Sequence, residues 1–374
     1  MMAHEKQRIC FVIPEYRGDS PTHFSYVYDM LRELSSAFQI RCIIERSFGN
    51  PTLPDGVEVY AQRPTPFLFR VAQTKINILC ARAAGYRDFY IHYSFFSAFF
   101  ASLLARIFGG RVFYWNCGLP WQYRRNWFRE RFEQLVYQMV TFLVTGTEGL
   151  KREYAKHYKI PLEKIKVIPN WIDIAKVKSQ SASWRTKIKI DEIRKQLNIP
   201  EGARILLFVH RLSKRKGAHY IPEIMNRLRD ENVFLVVVGD GPEMSNLKLE
   251  ISNLKLENHI RLIGAVPQNE VIKYFSIADI FIMPSEEEGF PHVLLEAMAA
   301  GIPFVAFDVG GVTEITPPEL KNDTVPSEDI GLFCRQIYKI LSQADRYRDI
   351  LQSHAEKYDS KKVAFLFKEP FEAE

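Results

Sequence analysis

The stretch Pro284-Ser-Glu-Glu-Glu-Gly-Phe-Pro-His-Val-Leu-Leu-Glu-Ala-Met-Ala-Ala-Gly301 predicts a loop that runs into a short helix. It follows the apolar run Asp279-Ile-Phe-Ile-Met283, which is typical of a buried parallel strand. Pro291 suits the first turn of a helix, where its missing N–H would have no partner, and Gly301 ends the helix. This junction predicts an anion site, because free backbone N–H groups and the helix dipole meet there.

Two carboxylates lie on either side of the predicted anion site. Glu288 lies in the loop, and Glu296 lies a little over one turn inside the helix. Because helical side chains lean toward the N-terminus, Glu296 can reach back beside a diphosphate and accept hydrogen bonds from ribose hydroxyls. Glu288 lies where a sugar attached to that diphosphate would bind. In a second interpretation residues 286–288 only complement the helix dipole, and this segment alone favours neither interpretation.

The spacing of one glutamate, seven residues and a second glutamate resembles the donor site of retaining nucleotide-sugar glycosyltransferases. The similarity continues through Gly301-Ile-Pro-Phe-Val-Ala-Phe-Asp-Val-Gly-Gly-Val-Thr-Glu314. Together these segments resemble the large group 1 family that includes sucrose synthases and bacterial mannosyltransferases. The resemblance implies an α/β fold of the GT-B type, in which two Rossmann-like domains face each other. It also implies that the last helix crosses back to the first domain.

Length and composition fit a two-domain globular protein. The chain has 374 residues, of which 47% are hydrophobic and 25% charged. Its five cysteines show neither metal-ligand spacing nor disulfide density, which favours a reduced cytoplasmic compartment. The N-terminus leads directly into a strand, so we expect no secretory signal. The longest apolar stretch, residues 93–108, is interrupted by polar residues and predicts a buried helix rather than a membrane span.

Charge is distributed unevenly along the chain. Residues 1–172 carry 23 Lys and Arg against 14 Asp and Glu, while the remainder carries 27 against 30. A basic first half suits an anionic membrane surface, an anionic acceptor or nucleic acid, but plain solvation explains it equally well. The segment Trp121-Gln-Tyr-Arg-Arg-Asn-Trp-Phe-Arg-Glu-Arg-Phe132 suits contact with an anionic bilayer, binding of a lipid-linked acceptor, or a solvated helix edge. The rest of the chain does not support single-stranded nucleic acid as a partner.

Strands alternate with helices, which predicts parallel βαβ units with right-handed crossovers. We expect a first domain over residues 1–175, a polar linker over 176–200, a second domain over 201–345 and a helical tail over 346–374. The predicted strands are 8–14, 40–45, 57–61, 88–92, 111–115, 204–210, 233–238, 260–263, 279–283 and 304–307. The stretches 142–145 and 166–173, with a helix between them, are expected to end the first domain. The segments predicted to be helical include 22–38, 218–230, 242–256, 268–277 and 294–300.

The basic loop His210-Arg-Leu-Ser-Lys-Arg-Lys-Gly217 follows the first strand of the second domain. Such a loop presents its cations at the carboxyl edge of the sheet. Arg211 offers a planar fork for phosphate oxygens and Lys216 a compact point charge. The pair can therefore stabilise a departing diphosphate, a role that metal ions play in other transferases, and we expect no metal or other cofactor. An exposed basic turn is the alternative, but these two positions match the family's phosphate clamp.

The resemblance assigns further positions to the nucleotide-sugar donor. Backbone N–H groups after Glu288 complete the anion site, and backbone near Val266 borders the base. The turn at Gly239 lines the nucleotide pocket in the family, although a purely structural turn is equally compatible with its sequence. It is too short for a dinucleotide fingerprint. The expected donor-binding residues are Gly18, Arg211, Lys216, Gly239, Val266, Glu288, Gly289, Phe290, His292, Val293 and Glu296.

The first domain supplies the expected acceptor or sugar pocket, and it departs from the family pattern. Gly18 and Asp19 replace two adjacent glycines, so Asp19 is a candidate for contact with a substrate hydroxyl. His92 ends a strand and resembles a frequent family histidine, although a lone histidine is more often structural. Asn116 stands where family members commonly place a histidine, and it cannot titrate near neutral pH. Trp171 replaces a common glycine and either narrows the cleft, stacks on a sugar or packs the hinge.

The function that follows is a retaining transfer of sugar from a nucleoside-diphosphate sugar to a glycan or a lipid-linked glycan of the cell envelope. Arg211, Lys216 and Glu288 would form the catalytic group. A front-face transfer, in which the leaving phosphate takes the acceptor proton, needs no general base at Asn116. We expect a cytoplasmic protein, free or peripheral at the inner face of the membrane. A nucleotide-sugar epimerase and a non-catalytic nucleotide-sugar-binding partner of another transferase are the alternatives.

Overall fold

The structure is a computed structural model that describes residues 6–17, 25–124 and 126–372. The described chain divides into two compact units. The first takes its residues from Met1–Trp171 and Ser360–Glu374, and the second is Ile172–Asp359. Each unit has its own hydrophobic core around a parallel sheet. The predicted α/β architecture with two Rossmann-like domains is confirmed.

The first unit is built around a parallel sheet whose central strands are buried on both faces. Its strands are β1 (Gln7–Ile13), β2 (Tyr16–Arg17), β3 (Phe38–Ile44), β4 (Ser47–Phe48), β5 (Val57–Ala61), β6 (Asp88–His92), β7 (Arg111–Trp115), β8 (Phe142–Thr145) and β9 (Ile165–Val167). Seven of them pair in the order β5-β3-β1-β6-β7-β8-β9, while β2 pairs with β4. The apolar runs at residues 9–13 of β1 and 42–44 of β3 are buried, which suits this central placement.

Helices connect these strands on both faces of the sheet. They are α1 (Ser25–Ser35), α2 (Phe67–Ala83), α3 (Phe95–Phe108), α4 (Trp127–Met139) and α5 (Glu148–Tyr158). From β5 to β9, the connections through α2, α3, α4 and α5 all run in one direction across the sheet. Right-handed crossovers therefore put these four helices on one face and α1, whose connection runs the opposite way, on the other.

The second unit has a five-stranded parallel sheet in the order β12-β11-β10-β13-β14. Its strands are β10 (Arg204–Val209), β11 (Val233–Val238), β12 (Ile260–Gly264), β13 (Ile280–Met283) and β14 (Phe304–Ala306). Its helices are α6 (Ile174–Trp184), α7 (Lys187–Gln196), α8 (Ile221–Arg227), α9 (Met244–Asn253), α10 (Gln268–Ile277), α11 (His292–Ala300), α12 (Val312–Ile315), α13 (Ile330–Leu341) and α14 (Ala344–Ala355). From β10 the next strands, β11 and β12, are added on one side, and β13 and β14 are then added on the other side of β10. The direction of strand order therefore reverses between the neighbours β10 and β13.

The last helix, α15 (Ser360–Glu372), belongs to the first unit, as expected from the family resemblance. Phe367 and Phe371 are buried, and their rings lie 4.6 Å from Tyr90 and 4.3 Å from Phe113 respectively. Arg111 donates a hydrogen bond to the carbonyl oxygen of Pro370 at 2.9 Å. The chain thus leaves the second unit and completes the core of the first.

Residues 176–200, expected to be a polar linker, lie mostly in two helices of the second unit. The Asp173 side chain accepts a hydrogen bond from the Lys176 N–H and caps α6. Ile174 of α6 and Ile193 of α7 are buried in the second core. The polar and serine-rich composition suggested a linker, but sparse apolar residues at helical spacing determine the structure here.

The apolar segment 93–108 forms α3, but only one side of this helix is buried. Small residues such as Ala98 and Ala101 face the core, while Ile107 and Phe108 are exposed. The expectation of a buried helix is therefore correct for one face only, because the close approach to the sheet needs small side chains. Among the described residues, none of the helices has both the length and the apolar character needed to span a membrane.

Candidate functional site

The reversal of strand order in the second sheet brings two loops together. β10 and β13 are hydrogen-bonded neighbours, with Leu206 opposite Ile280. The loops that follow them leave the same edge of the sheet side by side, at the position where α/β sheets commonly bind ligands. The first loop carries the predicted cations and the second carries the predicted carboxylate. Backbone hydrogen bonds join the loops, since the N–H of Glu286 donates to the carbonyl oxygen of Arg215 at 2.9 Å.

A buried charge cluster lies at this junction. The Lys216 ammonium is 2.8 Å from Glu288 Oε1, and His210 Nε2 is 3.1 Å from the same oxygen. The Glu288 side chain is only 5% exposed. Burial alone would raise the pKa of this carboxyl, but Lys216 and the hydrogen bond from His210 outweigh burial and hold the pKa well below its usual value. Glu288 is therefore a carboxylate throughout the physiological range.

His210 is the member of this cluster that the sequence analysis did not single out. Its Nδ1 accepts a hydrogen bond from the backbone N–H of Arg211 at 2.9 Å. Burial and the nearby Lys216 lower the pKa of the imidazole, so the ring is neutral near pH 7. With Nδ1 accepting, the proton lies on Nε2, which donates to Glu288. The available signal was its position directly after β10, where a side chain reaches the carboxyl edge of the sheet.

Two glycines allow the loops to approach each other closely. Gly217 has φ +71°, and a Cβ there would lie 1.7 Å from the carbonyl oxygen of Pro284. Gly310 has φ +55°, and a Cβ there would lie 1.6 Å from the carbonyl oxygen of Glu288. No side chain fits at either position without a backbone shift. These contacts hold the backbone on both sides of the charge cluster.

The helix that begins after this loop is α11. Pro291 is its N-cap residue rather than part of its first turn as predicted, and His292 is the first helical residue. Gly301 ends the helix in the left-handed conformation, as predicted. The N–H groups of the first turn have no acceptor within the helix, which suits an anion. The neighbouring donor-site candidates lie here too, with Gly289 and His292 half-buried and Phe290 and Val293 buried.

Glu296 lies one turn inside α11, and its carboxylate accepts a hydrogen bond from the side-chain amide of Gln268 at the start of α10. Burial raises the pKa of Glu296 to about 7, and the hydrogen bond from Gln268 only partly opposes this. The carboxyl is therefore poised to titrate near neutral pH. Glu288 in the loop and Glu296 in the helix thus differ in protonation behaviour, because the pKa of Glu288 is lowered and that of Glu296 is raised.

The remaining donor-site candidates lie on loops at the same edge of this sheet. Gly239 ends β11 with φ +136°, and a Cβ there would lie 1.9 Å from the carbonyl oxygen of His210. Val266 follows β12 and packs partly buried against the core. Arg211 is exposed, and its guanidinium forms no ion pair within the described part of the chain. All of the second-unit candidates thus lie on the loops that follow β10, β11, β12 and β13 or at the start of α11.

The acceptor-site candidates His92, Asn116 and Trp171 lie in the first unit, whereas the acceptor-site candidate Asp19 and the donor-site candidate Gly18 fall outside the described residues. His92 is fully buried 4.8 Å from the Trp115 ring, and burial lowers the pKa of its imidazole to about 3. Asn116 is largely buried, and its amide donates to the Tyr137 hydroxyl at 3.2 Å. Trp171 is buried, and its indole N–H donates to the carbonyl oxygen of Tyr26 at 2.7 Å. This geometry favours packing for Trp171, and the acceptor roles stay predictions.

Among residues 6–17, 25–124 and 126–372, no three His, Cys, Asp or Glu side chains are grouped in a way that would hold a metal ion. The basic loop places Arg211, Lys214, Arg215 and Lys216 at this edge of the sheet. Arg215 is paired with Glu287 at 3.2 Å and Lys216 with Glu288 at 2.8 Å.

Two family models match the chain in consecutive parts. Residues 24–176 match Glycosyltransferase Family 4, and residues 189–358 match Glycosyl transferases group 1. An uncharacterised glycosyltransferase of Methanocaldococcus jannaschii is 29% identical over 216 residues, which cover 58% of this chain and 54% of the relative. The alpha-monoglucosyldiacylglycerol synthase of Streptococcus pneumoniae is 33% identical over 183 residues, which cover 45% of this chain and 40% of the relative. The chain thus spans about half or less of these curated relatives.

Solved structures share the fold over nearly the full length. The Anabaena protein HepE in complex with UDP-glucose has a TM-score of 0.78 at 16% identity, and the match covers 98% of this chain and 100% of that one. At this identity the likeness concerns the fold, which is that of the GT-B glycosyltransferases. With both family models matched in order and a second unit that carries the expected glutamate pair, the chain belongs to the group 1 family of glycosyl transferases.

Proposed function

We propose that this protein is a retaining glycosyltransferase that uses a nucleoside-diphosphate sugar as donor. The observation that carries the proposal is the buried cluster of Lys216, Glu288 and His210, which adjoins the N-terminus of α11. A cation, a charged carboxylate and a helix N-terminus at one sheet edge suit a ligand in which a diphosphate is joined to a sugar with several hydroxyl groups. The UDP-glucose bound by the Anabaena neighbour makes UDP-sugars the first donors to test.

The diphosphate would bind between the basic loop and α11. The buried cluster is neutral overall, because Lys216 is positive, Glu288 is negative and His210 is neutral, and Arg211 on the same loop adds one positive charge before the ligand arrives. Backbone N–H groups of Gly289, Phe290, His292 and Val293 would add hydrogen bonds to the anion. As the glycosidic bond breaks, negative charge grows on the leaving diphosphate. The two cations would stabilise that charge without a metal ion, which makes them the main source of catalysis.

The two carboxylates would divide the hydroxyl groups of the donor between them. Glu288 is ionised and can only accept hydrogen bonds, so it suits the hydroxyls of the transferred sugar. Glu296 lies farther along α11 and suits the ribose, while backbone near Gly239 and Val266 would border the nucleotide. Proximity of the bound donor and acceptor would supply the rest of the rate enhancement.

The acceptor that we propose is a glycan or lipid-linked glycan of the cell envelope, used in polysaccharide biosynthesis on the cytoplasmic side of the membrane. The positive charge of the first half supports an anionic acceptor or a peripheral position on an anionic membrane. The S. pneumoniae relative is named for a glucosylated diacylglycerol product, which supports a lipid acceptor. Asp19, His92, Asn116 and Trp171 are its candidate contacts. Since Asn116 offers no titratable base, we propose that the leaving phosphate takes the acceptor proton.

A thermal-shift screen with UDP-, GDP- and ADP-sugars tests the donor assignment. A ligand at a hundred times its Kd stabilises the folded protein by about 2.7 kcal/mol. For a unit the size of the second one, this corresponds to a rise in Tm of roughly 5–11 °C. Glu296→Ala should abolish the rise, whereas Glu250→Ala, an exposed change on α9, should leave it intact. If none of the donors raises Tm, the donor assignment is wrong.

Turnover distinguishes the proposed transferase from the two alternatives. Release of nucleoside diphosphate that depends on an added envelope glycan or lipid-linked glycan supports the transferase, and the anomeric configuration of the product tests retention. Isomerised or hydrolysed sugar without any acceptor indicates an epimerase. Donor binding without turnover on any acceptor indicates a non-catalytic binding partner of another transferase.

A further inference from the structure

Three neighbouring helices in the first unit expose large apolar side chains to solvent. They are Phe67, Leu68, Phe69, Ile76 and Leu79 on α2, Leu103, Ile107 and Phe108 on α3, and Trp127, Phe128 and Leu135 on α4. We call this set the helical face. Several members are more exposed than buried, with Leu68 at 77% and Phe128 at 73%. A group of this size is unusual on a water-soluble surface and marks a site of interaction.

The helical face is continuous across the three helices. All three cover the same side of the sheet, and α3 packs against both α2 and α4. The Phe67 ring lies 5.4 Å from Phe96, and Phe96 lies 5.4 Å from Phe132, so one chain of aromatic contacts links the helices. The exposed residues therefore form one surface rather than separate side chains.

This surface carries the charge excess of the first half. Residues 63–139, which contain all of α2, α3 and α4, hold eleven Lys and Arg against three acids, Asp88, Glu130 and Glu133, a net charge of +8. Residues 1–172 as a whole carry +9, so the rest of that half is nearly balanced. Of the three acids, Asp88 and Glu133 are buried and are paired with Arg111 at 2.9 Å and with Arg129 at 3.4 Å respectively. α2 and α3 contain no acidic residue.

The cations lie on or beside the apolar side chains. Arg131 lies 6.0 Å from the centre of the Trp127 ring, and Arg70 lies 5.4 Å from that of Phe67. Lys75 and Arg106 are exposed on α2 and α3. Long cationic side chains beside exposed aromatic residues suit a headgroup layer, because the aliphatic stems can contact apolar groups while the charges reach phosphates.

We propose that the helical face docks on the surface of an anionic lipid bilayer. Charge complementarity selects this occupant, since a face without exposed acids on two of its three helices favours a sheet of phosphates, and the apolar tips favour an adjoining hydrocarbon layer. The sequence pointed only to residues 121–132 as a surface contact. The structure adds α2 and α3, which supply eight of the eleven exposed apolar side chains.

The position of the face relates membrane docking to the proposed function, on which this part of the inference rests. α2, α3 and α4 each begin after the carboxyl end of a strand, β5, β6 and β7 respectively. Leu68, Phe69, Trp127 and Phe128 lie in the first turns of α2 and α4, and thus toward the edge where parallel sheets bind substrates. A lipid-linked acceptor in the same bilayer would then reach the first unit without leaving the membrane.

Flotation of the full chain with phospholipid vesicles tests the proposal. We expect binding to vesicles of phosphatidylcholine mixed with phosphatidylglycerol, and much weaker binding to phosphatidylcholine alone. Leu68→Ser with Phe128→Ser should weaken binding to the mixed vesicles on the order of tenfold or more, since both side chains lose apolar contact. Arg106→Gln with Arg131→Gln should weaken it roughly 25-fold and flatten its salt dependence.

Matched changes on the second unit provide the controls. Ile188 and Leu249 are 73% and 59% exposed, so Ile188→Ser with Leu249→Ser removes similar apolar surface away from the helical face. Lys195→Gln with Lys248→Gln removes two exposed positive charges in the same unit. Neither control should change vesicle binding. Nucleotide-dependent thermal shifts measured on every variant separate membrane docking from the donor site, because each readout can fail while the other is retained.

Three outcomes would overturn the proposal. The first is that no vesicle is bound, or that the controls weaken binding as much as the changes in the helical face. The second is that Leu68→Ser with Phe128→Ser converts a lipid-free dimer to a monomer, which assigns the face to a second copy of the chain. The third is that single-stranded nucleic acid binds more tightly than mixed vesicles and competes with them.

Discussion

Replacing Lys216 by methionine tests the organisation of the buried charge cluster. The change keeps an unbranched side chain and removes the ammonium that lies 2.8 Å from Glu288 Oε1. The Glu288 carboxylate would lose its main counter-charge in a place that water hardly reaches. Breaking a buried ion pair from one side costs about 3–5 kcal/mol. The hydrogen bond from His210 at 3.1 Å remains, so we expect a loss at the lower end, about 3 kcal/mol.

The same substitution changes how stability depends on pH. In the native protein the pKa of Glu288 is lowered in spite of burial, so this group stabilises the fold above its unfolded pKa of about 4.3, and that stability is lost only as pH falls through the folded pKa. Without Lys216, burial dominates and the pKa rises above the unfolded value. Relative to the native protein, the variant then loses stability as pH rises from about 5 to 7.

Scanning calorimetry at pH 7 and pH 5 measures both effects. A loss of about 3 kcal/mol lowers the Tm of a unit of this size by roughly 6–12 °C. The double change Lys216→Met with Glu288→Gln removes both charges and should recover most of the loss. Lys195→Met, at an exposed position of α7, is the matched control and should leave Tm unchanged. If Lys216→Met is as stable as the native protein at pH 7, or its deficit does not shrink at pH 5, Glu288 is not held as a buried charge.

Two further predictions concern the same unit. Because burial raises the pKa of Glu296 to about 7, nucleotide affinity should fall by up to roughly tenfold per pH unit below 7, as a protonated carboxyl cannot accept both ribose hydrogen bonds. Calorimetric titration over pH 5.5–8 measures this, and a similar slope in Glu296→Gln would rule the carboxyl out as its cause. Gly217→Ala should lower both Tm and donor affinity, since its Cβ would overlap the Pro284 carbonyl oxygen. Gly56→Ala, at φ +86° with no atom within 4 Å, controls for backbone strain alone.

The second unit was predictable because its decisive signals are local in sequence. An apolar strand, a glycine-containing loop, a helix N-terminus and two glutamates occur within residues 279–301, and parallel-sheet topology brings the loop after β10 beside them. The helix of residues 268–277 was predicted at its observed bounds. His210 was missed because its role depends on the hydrogen bond that Arg211 N–H donates to Nδ1, a backbone detail that no spacing reveals. The contact between Gln268 and Glu296 likewise depends on how α10 and α11 pack.

The helices over residues 174–196 show why composition alone wrongly predicted a linker in a segment whose helices pack against the second unit. Serines and lysines make this segment look like a linker, yet its apolar side chains are as numerous and form helices where a neighbouring helix offers a complementary surface. α11 and α10 provide that surface for α6. The helical structure of this segment therefore depends partly on residues that lie about a hundred positions later in the chain. The composition of residues 176–200 alone could not predict it.

In the first unit, the candidate acceptor residues are buried, whereas its exposed apolar and charged residues lie on three helices. Its candidates His92, Asn116 and Trp171 are each buried, and Asn116 and Trp171 are engaged in hydrogen bonds within the unit. The large exposed apolar side chains and the excess of Lys and Arg lie instead on α2, α3 and α4. The proposed donor site needs a fixed array of charges, because every nucleoside-diphosphate sugar would present the same diphosphate. An acceptor that arrives within a bilayer needs a surface that holds the membrane, and such a surface is encoded by exposure and charge balance across three helices rather than by any short motif.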